Sequence, residues 1–140
     1  MPHASASREL LASREDVWSF IAEPHHLSDW WPGIAGVQPD RRGLAEGARW
    51  QVYGADRPTL FRRATSSGIL LVREVRPFEL FAWTLTGDHI DAELRLRART
   101  PDRTVAVLDL EAPWLYGFSR SLPRKALTRL HALCQTAAAL

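Results

Sequence analysis

His25 and Asp29 stand four residues apart, so on a helix they share one face. That is the arrangement of a general base and the carboxylate that orients it. It is equally what a solvent-exposed ion pair on a short helix presents, and we prefer that reading. His25 and His26 are adjacent, and neither belongs to an H-x-x-x-H pair or a Cys/His set. Zinc needs three or four converging ligands, so no metal site is expected. Cys134, the single cysteine, falls on an apolar helical stripe, where an inert core thiol is the default. His89 lies in a turn, and His131 falls between apolar positions of the last helix, facing solvent. Glu74 interrupts an apolar strand. Its register makes it either a surface carboxylate or a buried acid with a raised pKa, and the surface reading is favoured. There is no G-x-S-x-G and no G-x-G-x-x-G. No catalytic residue is assigned, and no cofactor is expected.

The stronger signal is aromatic. Trp30 and Trp31 are adjacent, just before a Pro-Gly stop. Neighbours on a helix diverge by about 100°. The expectation is that one packs in the core and the other lines a pocket mouth. Trp50, Phe81 and Trp83 fall in strands as inward residues, where core and cavity wall are the same surface. Trp114 and Tyr116 come just before the last helix, at the place of a cavity entrance. The Tyr116 hydroxyl would enter an apolar pocket or lie on the surface.

The elements that must position these residues follow from periodicity. Residues 4–11 alternate weakly, as a first edge strand. Ser13 and Asp16 match a capping box, and Val17, Trp18 and Ile21 follow at helical spacing. Pro24 opens a second short helix carrying Leu27, Trp30 and Trp31, and Pro32-Gly33 stops it. Period two then takes over. Strands are read at 34–38, 48–53, 68–76, 78–86, 90–99 and 104–111, with a further short one at 60–65. In the strand at 90–99, Ile90, Ala92, Leu94, Leu96 and Ala98 alternate with five charged residues, as in an antiparallel strand with one buried face. Residues 121–139 return to a period of 3.6, with Leu127 and Leu130 on the apolar stripe. Pro123 is tolerable only in the first turn. A bent antiparallel sheet of six or seven strands cannot bury its concave face alone, and the last helix is its natural cover. A cavity between them is expected.

Composition narrows the class. The chain has 140 residues, one domain's length, and 46% are hydrophobic, as in a globular protein. The net charge is +2. Lys125 is the sole lysine; Arg41, Arg42, Arg62 and Arg63 fall in expected loops, and Arg95, Arg97 and Arg99 share a strand face with Asp91 and Glu93. That excludes a focused nucleic-acid surface. No apolar run approaches the ~20 residues of a membrane span. No basic-then-apolar leader is read at the N-terminus. The expectation is a single domain over 1–140, cytoplasmic, monomeric or homodimeric.

The run SREDVWSFIAEPHHLSDWWPGI (13–34) is similar to the opening of the START-like, or SRPBCC, superfamily of polyketide cyclase/dehydrase-like proteins. VRPFELFAW (75–83) resembles their hairpin entry, and PRKALTRLHAL (123–133) their long helix. The resemblance implies an α+β helix-grip fold: about seven antiparallel strands wrapped around a C-terminal helix, with two short helices after the first strand. It also implies an apolar cavity. Trp30, Trp31, Trp50, Phe81, Trp83, Leu94, Leu108, Trp114, Tyr116, Leu127 and Leu130 are the expected lining. Fold does not choose the function. The leading reading is binding of a small hydrophobic or aromatic molecule. The alternatives are a polyketide aromatase/cyclase or dehydratase, and a groove that receives a hydrophobic segment of another protein.

Overall fold

The computed structural model describes residues 3–54, 68–87, 89–112 and 120–139. Seven antiparallel strands form one sheet: β1 (His3–Leu10), β2 (Ile34–Gln38), β3 (Arg49–Gly54), β4 (Gly68–Arg76), β5 (Leu80–Leu85), β6 (Ile90–Thr100) and β7 (Arg103–Glu111). Their spatial order is β1-β7-β6-β5-β4-β3-β2. Strands β2 to β7 therefore form a continuous meander, and β1 closes onto its far end. Three helices complete the architecture: α1 (Arg14–Ile21), α2 (Leu27–Trp30) and α3 (Leu122–Ala139). This is the expected helix-grip arrangement. The strand read at 60–65 lies outside the described residues.

Local chemistry accounts for the helices. The Ser13 hydroxyl accepts from the Asp16 backbone N–H (3.1 Å), and Glu15 and Asp16 place negative charge at the positive helix end. Helix α1 buries Val17, Trp18 and Ile21. A 3-10 turn, Pro24–His26, leads into α2, with the Glu23 carboxylate accepting from the His25 N–H. Gly33, at φ +89°, turns the chain into β2. Pro123 falls in the first turn of α3, where its missing N–H has no helical partner to lose.

Three register shifts curl the sheet: between Ile34 and Gly36, Val72 and Glu74, and Ala98 and Thr100. The shift in β4 makes Arg73 the extra residue. Its guanidinium spans the neighbouring strands, donating to the backbone carbonyls of Trp83 (3.4 Å) and Ala92 (3.2 Å). Glu74 then faces outward and pairs with Arg76 at 2.9 Å, the surface reading of that acid. The alternation in β6 holds from Ile90 to Leu96, but Ala98, still paired in register with Thr104, is exposed towards the end of the strand.

Helix α3 lies against β1, β7 and α2, and buries Ala126, Leu127, Leu130 and Cys134. The concave face opposite carries Leu94, Leu96, Ala106, Leu108 and Leu110, all in the same buried cluster. At the other end of the sheet, Phe78 adopts φ +68°, rare for a bulky residue, and sets its ring 6.3 Å from that of Trp18.

Candidate functional site: an aromatic interior

Five rings on the concave side form one continuous chain of contacts. Trp83 on β5 is its centre. Its ring centroid lies 4.4 Å from Phe81, 5.4 Å from Trp31 and 6.0 Å from Trp30. Trp30 and Trp31 meet edge to face at 82°, and both stand close to perpendicular to Trp83. Phe81 continues to Trp50 on β3 at 5.9 Å. None of the five is more than 2% exposed. Register explains the assembly. Phe81, Leu94 and Leu108 pair in one row across β5, β6 and β7, and Val72, Trp83, Ala92 and Leu110 in the next. Ala92 beside Trp83 leaves the indole its width. Leu127 and Leu130 come down on this surface from α3.

The structure thus brings Trp30, Trp31, Trp50, Phe81, Trp83, Leu94, Leu108, Leu127 and Leu130 into one cluster. Trp114 and Tyr116 lie outside the described residues. The expected division of Trp30 and Trp31 into core and rim is corrected: both are buried. The reason is that α2 is covered on more than one side, by β2 and by α3, so two directions about 100° apart both lead into the interior. Trp31 is the C-cap, with ψ 118°, and its N–H still donates to the Leu27 carbonyl at 2.8 Å. Both rings reach Trp83, at 6.0 Å from Trp30 and 5.4 Å from Trp31.

The two indole donors in the strands differ. Trp50 Nε1–H donates to the Gly43 carbonyl at 2.8 Å. Trp83 Nε1–H is buried and has no hydrogen-bond partner among the described residues. An unpaired buried donor costs about 1–3 kcal/mol, and such groups are rare in folded proteins. The one buried polar residue among the described ones, Thr104, is satisfied by donating to the Ala12 carbonyl at 2.9 Å.

The histidines stand apart from this interior. His25 is exposed. His26 Nδ1–H donates to the Phe20 carbonyl at 2.7 Å, and its ring stacks on Phe20 at 4.2 Å. His131 is half-buried rather than facing solvent, because α3 packs on β1, and its Nδ1 accepts from Arg8 at 3.5 Å. Burial, and then the Arg8 charge, hold its pKa below the ordinary value. The sign is fixed: the unfolded chain takes up the proton first. His131 therefore favours the folded state above about pH 6.5, and stability falls as pH drops through and below that value. His131→Asn is expected to flatten this part of a melting temperature–pH curve; an unchanged slope would place its source elsewhere.

Sequence reasoning missed a half-open cleft of about 670 Å³. Leu11, Ala12 and Ser13, Asp16 and Phe20 of α1, Asp102 and Arg103 of the β6–β7 turn, and Leu133 and Cys134 of α3 line it. Residues 11–20 are continuous and joined by the Ser13 cap, but they meet the β6–β7 turn and α3 only through the fold. The Thr100 hydroxyl donates to Asp102 at 2.8 Å and holds that carboxyl below its usual range. Cys134 borders the cleft but is buried, which, with the Asp16 charge, pushes its thiol from 9.0 up to about 11. Its thiolate fraction near neutrality is thereby cut about a hundredfold. Cys134 in the folded protein is expected to react with a disulfide reagent at least that much more slowly than in urea. Rapid native labelling would contradict the buried placement. Among the described residues, no group of three His, Cys, Asp or Glu side chains is placed to hold a metal ion, and no helix is long and apolar enough to cross a membrane.

A family described as polyketide cyclase/dehydrase and lipid transport matches residues 1–134, and the chain belongs to it. The fold is that of the START-like superfamily. A START superfamily protein from Mycobacterium smegmatis superposes with a TM-score of 0.67 at 16% identity, covering 97% of this chain and 95% of that one. The protein XoxI from Bacillus cereus superposes at 0.74 and 14% identity, covering 99% of both chains. The Aha1 dimer from Colwellia psychrerythraea is also similar, at 0.65 and 15%, covering 97% of both. No curated protein sequence matches the chain significantly.

Proposed function

We propose that this protein binds a small hydrophobic or aromatic molecule between the concave face of its sheet and α3. The carrying observation is the chain of five buried rings, Trp30, Trp31, Trp83, Phe81 and Trp50, on that face. A core needs bulk, but aliphatic side chains supply it as well. Indoles set mutually perpendicular offer both faces and edges to a flat guest. Entry of such a guest exchanges ring–ring contacts for ring–ligand contacts, and apolar burial drives the affinity. The family's description, which names cyclases, dehydrases and lipid transport, supports a guest of this class. Leu94, Leu108, Leu127 and Leu130 extend the wall. The unit is a single domain of the cytoplasm, acting as a monomer or homodimer.

Native mass spectrometry of the protein as purified tests this reading, followed by denaturation and extraction. The expected result is an apolar adduct released on unfolding. A clean apo mass, together with no saturable binding of a naphthalene-sized aromatic probe, would overturn it.

A further inference from the structure

The unpaired indole of Trp83 says more about the guest than the rings do. We infer that Trp83 Nε1–H is the polar anchor of the aromatic interior, and that the ligand it takes is a flat aromatic molecule bearing an uncharged hydrogen-bond acceptor, such as a ketone or quinone oxygen. The inference rests on the proposed binding reading and refines it.

Three observations carry it. First, the donor is fully buried and unpartnered among the described residues, whereas the equivalent donor of Trp50, in the same cluster, has a carbonyl at 2.8 Å. The fold can satisfy an indole, and at Trp83 it does not. Second, the surroundings do not suit a water molecule. Around Trp83 stand the rings of Trp30, Trp31 and Phe81, with Val72 and Ala92 as its strand partners. A trapped water needs two to four polar partners. A ligand oxygen needs only the one donor, since the rest of the molecule is held by the rings. Third, the charge class follows from the lining. The buried residues around the site are apolar, and the one buried polar side chain described, Thr104, spends its hydroxyl on Ala12. Among the described residues an anion would find no buried counter-charge and would enter at a large desolvation cost, so the acceptor is neutral. The rival account is internal: the N–H points at the π face of Trp30 or Trp31, both near-perpendicular to Trp83.

The test uses the full chain, ¹⁵N-labelled, with two probes of one shape: 2-acetylnaphthalene, which has a carbonyl oxygen, and 2-isopropenylnaphthalene, which has a methylene there. Affinities are measured for the unaltered protein and for Trp83→Phe, and the indole N–H resonances are followed in both titrations. The ketone is expected to bind roughly three- to tenfold more tightly than the hydrocarbon. W83F is expected to remove that difference while still binding both. The Trp83 indole proton should shift downfield with the ketone alone. Equal binding of both probes with no such shift overturns the anchor, supports the internal N–H–π account, and leaves the binding reading standing. Failure of both probes to bind overturns the two together. The affinity ratio and the indole shift are read on the unaltered protein, so the test survives if W83F does not fold.

Discussion

Trp83→Ala is expected to lower the stability of the protein by about 3–5 kcal/mol in urea denaturation. The ring is fully buried, touches three other rings, and has Val72 and Ala92 beside it on the sheet. Its removal leaves a void that rigid neighbours on a hydrogen-bonded sheet cannot collapse into. One effect works the other way. The substitution also deletes an unpaired donor, whose burial costs about 1–3 kcal/mol. The loss is therefore expected towards the lower end of the range, and Trp83→Phe, which deletes the donor but keeps a ring, should cost far less. A loss below about 1 kcal/mol for Trp83→Ala would mean that this ring is not core.

Trp30→Ala and Trp31→Ala are each expected to cost about 3–5 kcal/mol as well, although the two stand next to each other at a chain reversal. The equality is the informative part. If one ring were a rim residue, its removal would cost a few tenths of a kcal/mol. Both meet Trp83 nearly edge-on, so their effects share partners. Trp31→Ala combined with Trp83→Ala should lose about 0.5–1.5 kcal/mol less than the sum of the single losses. Strict additivity would sink the claim that these rings stabilise one another.

The strands of this fold were legible because period two is a direct image of a half-buried sheet. The strands at 34–38 and 68–76 were read to the residue, since Gly33, Pro39 and Pro77 punctuate them. The Ser13 cap and the tolerated Pro123 were legible for the same reason: each answers a local rule. Trp30 and Trp31 were misread because neighbours that diverge on a helix were taken to need one wet side. How many sides of α2 are covered is decided by β2 and α3, and that is tertiary. The cleft beside Cys134 was invisible for a related cause. Its walls come from three stretches of chain, 11–20, 102–103 and 133–134, that no local pattern connects to one another. The missing partner of Trp83 could not be read at all, since the sequence shows that an indole has a donor but not whether the fold answers it.

The strand order has a consequence for how the molecule comes into being. His3 pairs with Glu111, the sequence's beginning with its last strand, and α3 then packs on β1. The first contact waits for residues 103–111 and the second for residues 122–139. The meander β2 to β7 can assemble by local hairpins, but its apolar concave face has no cover until residues 122–139 arrive. Pairings of such long sequence separation belong to chains that fold in milliseconds to seconds rather than microseconds. For that interval Trp50, Phe81 and Trp83 stand open to other chains as well as to their own helix. The same surface that a guest would occupy in the finished protein is thus the one most exposed to self-association during synthesis. A guest present early would shield both states.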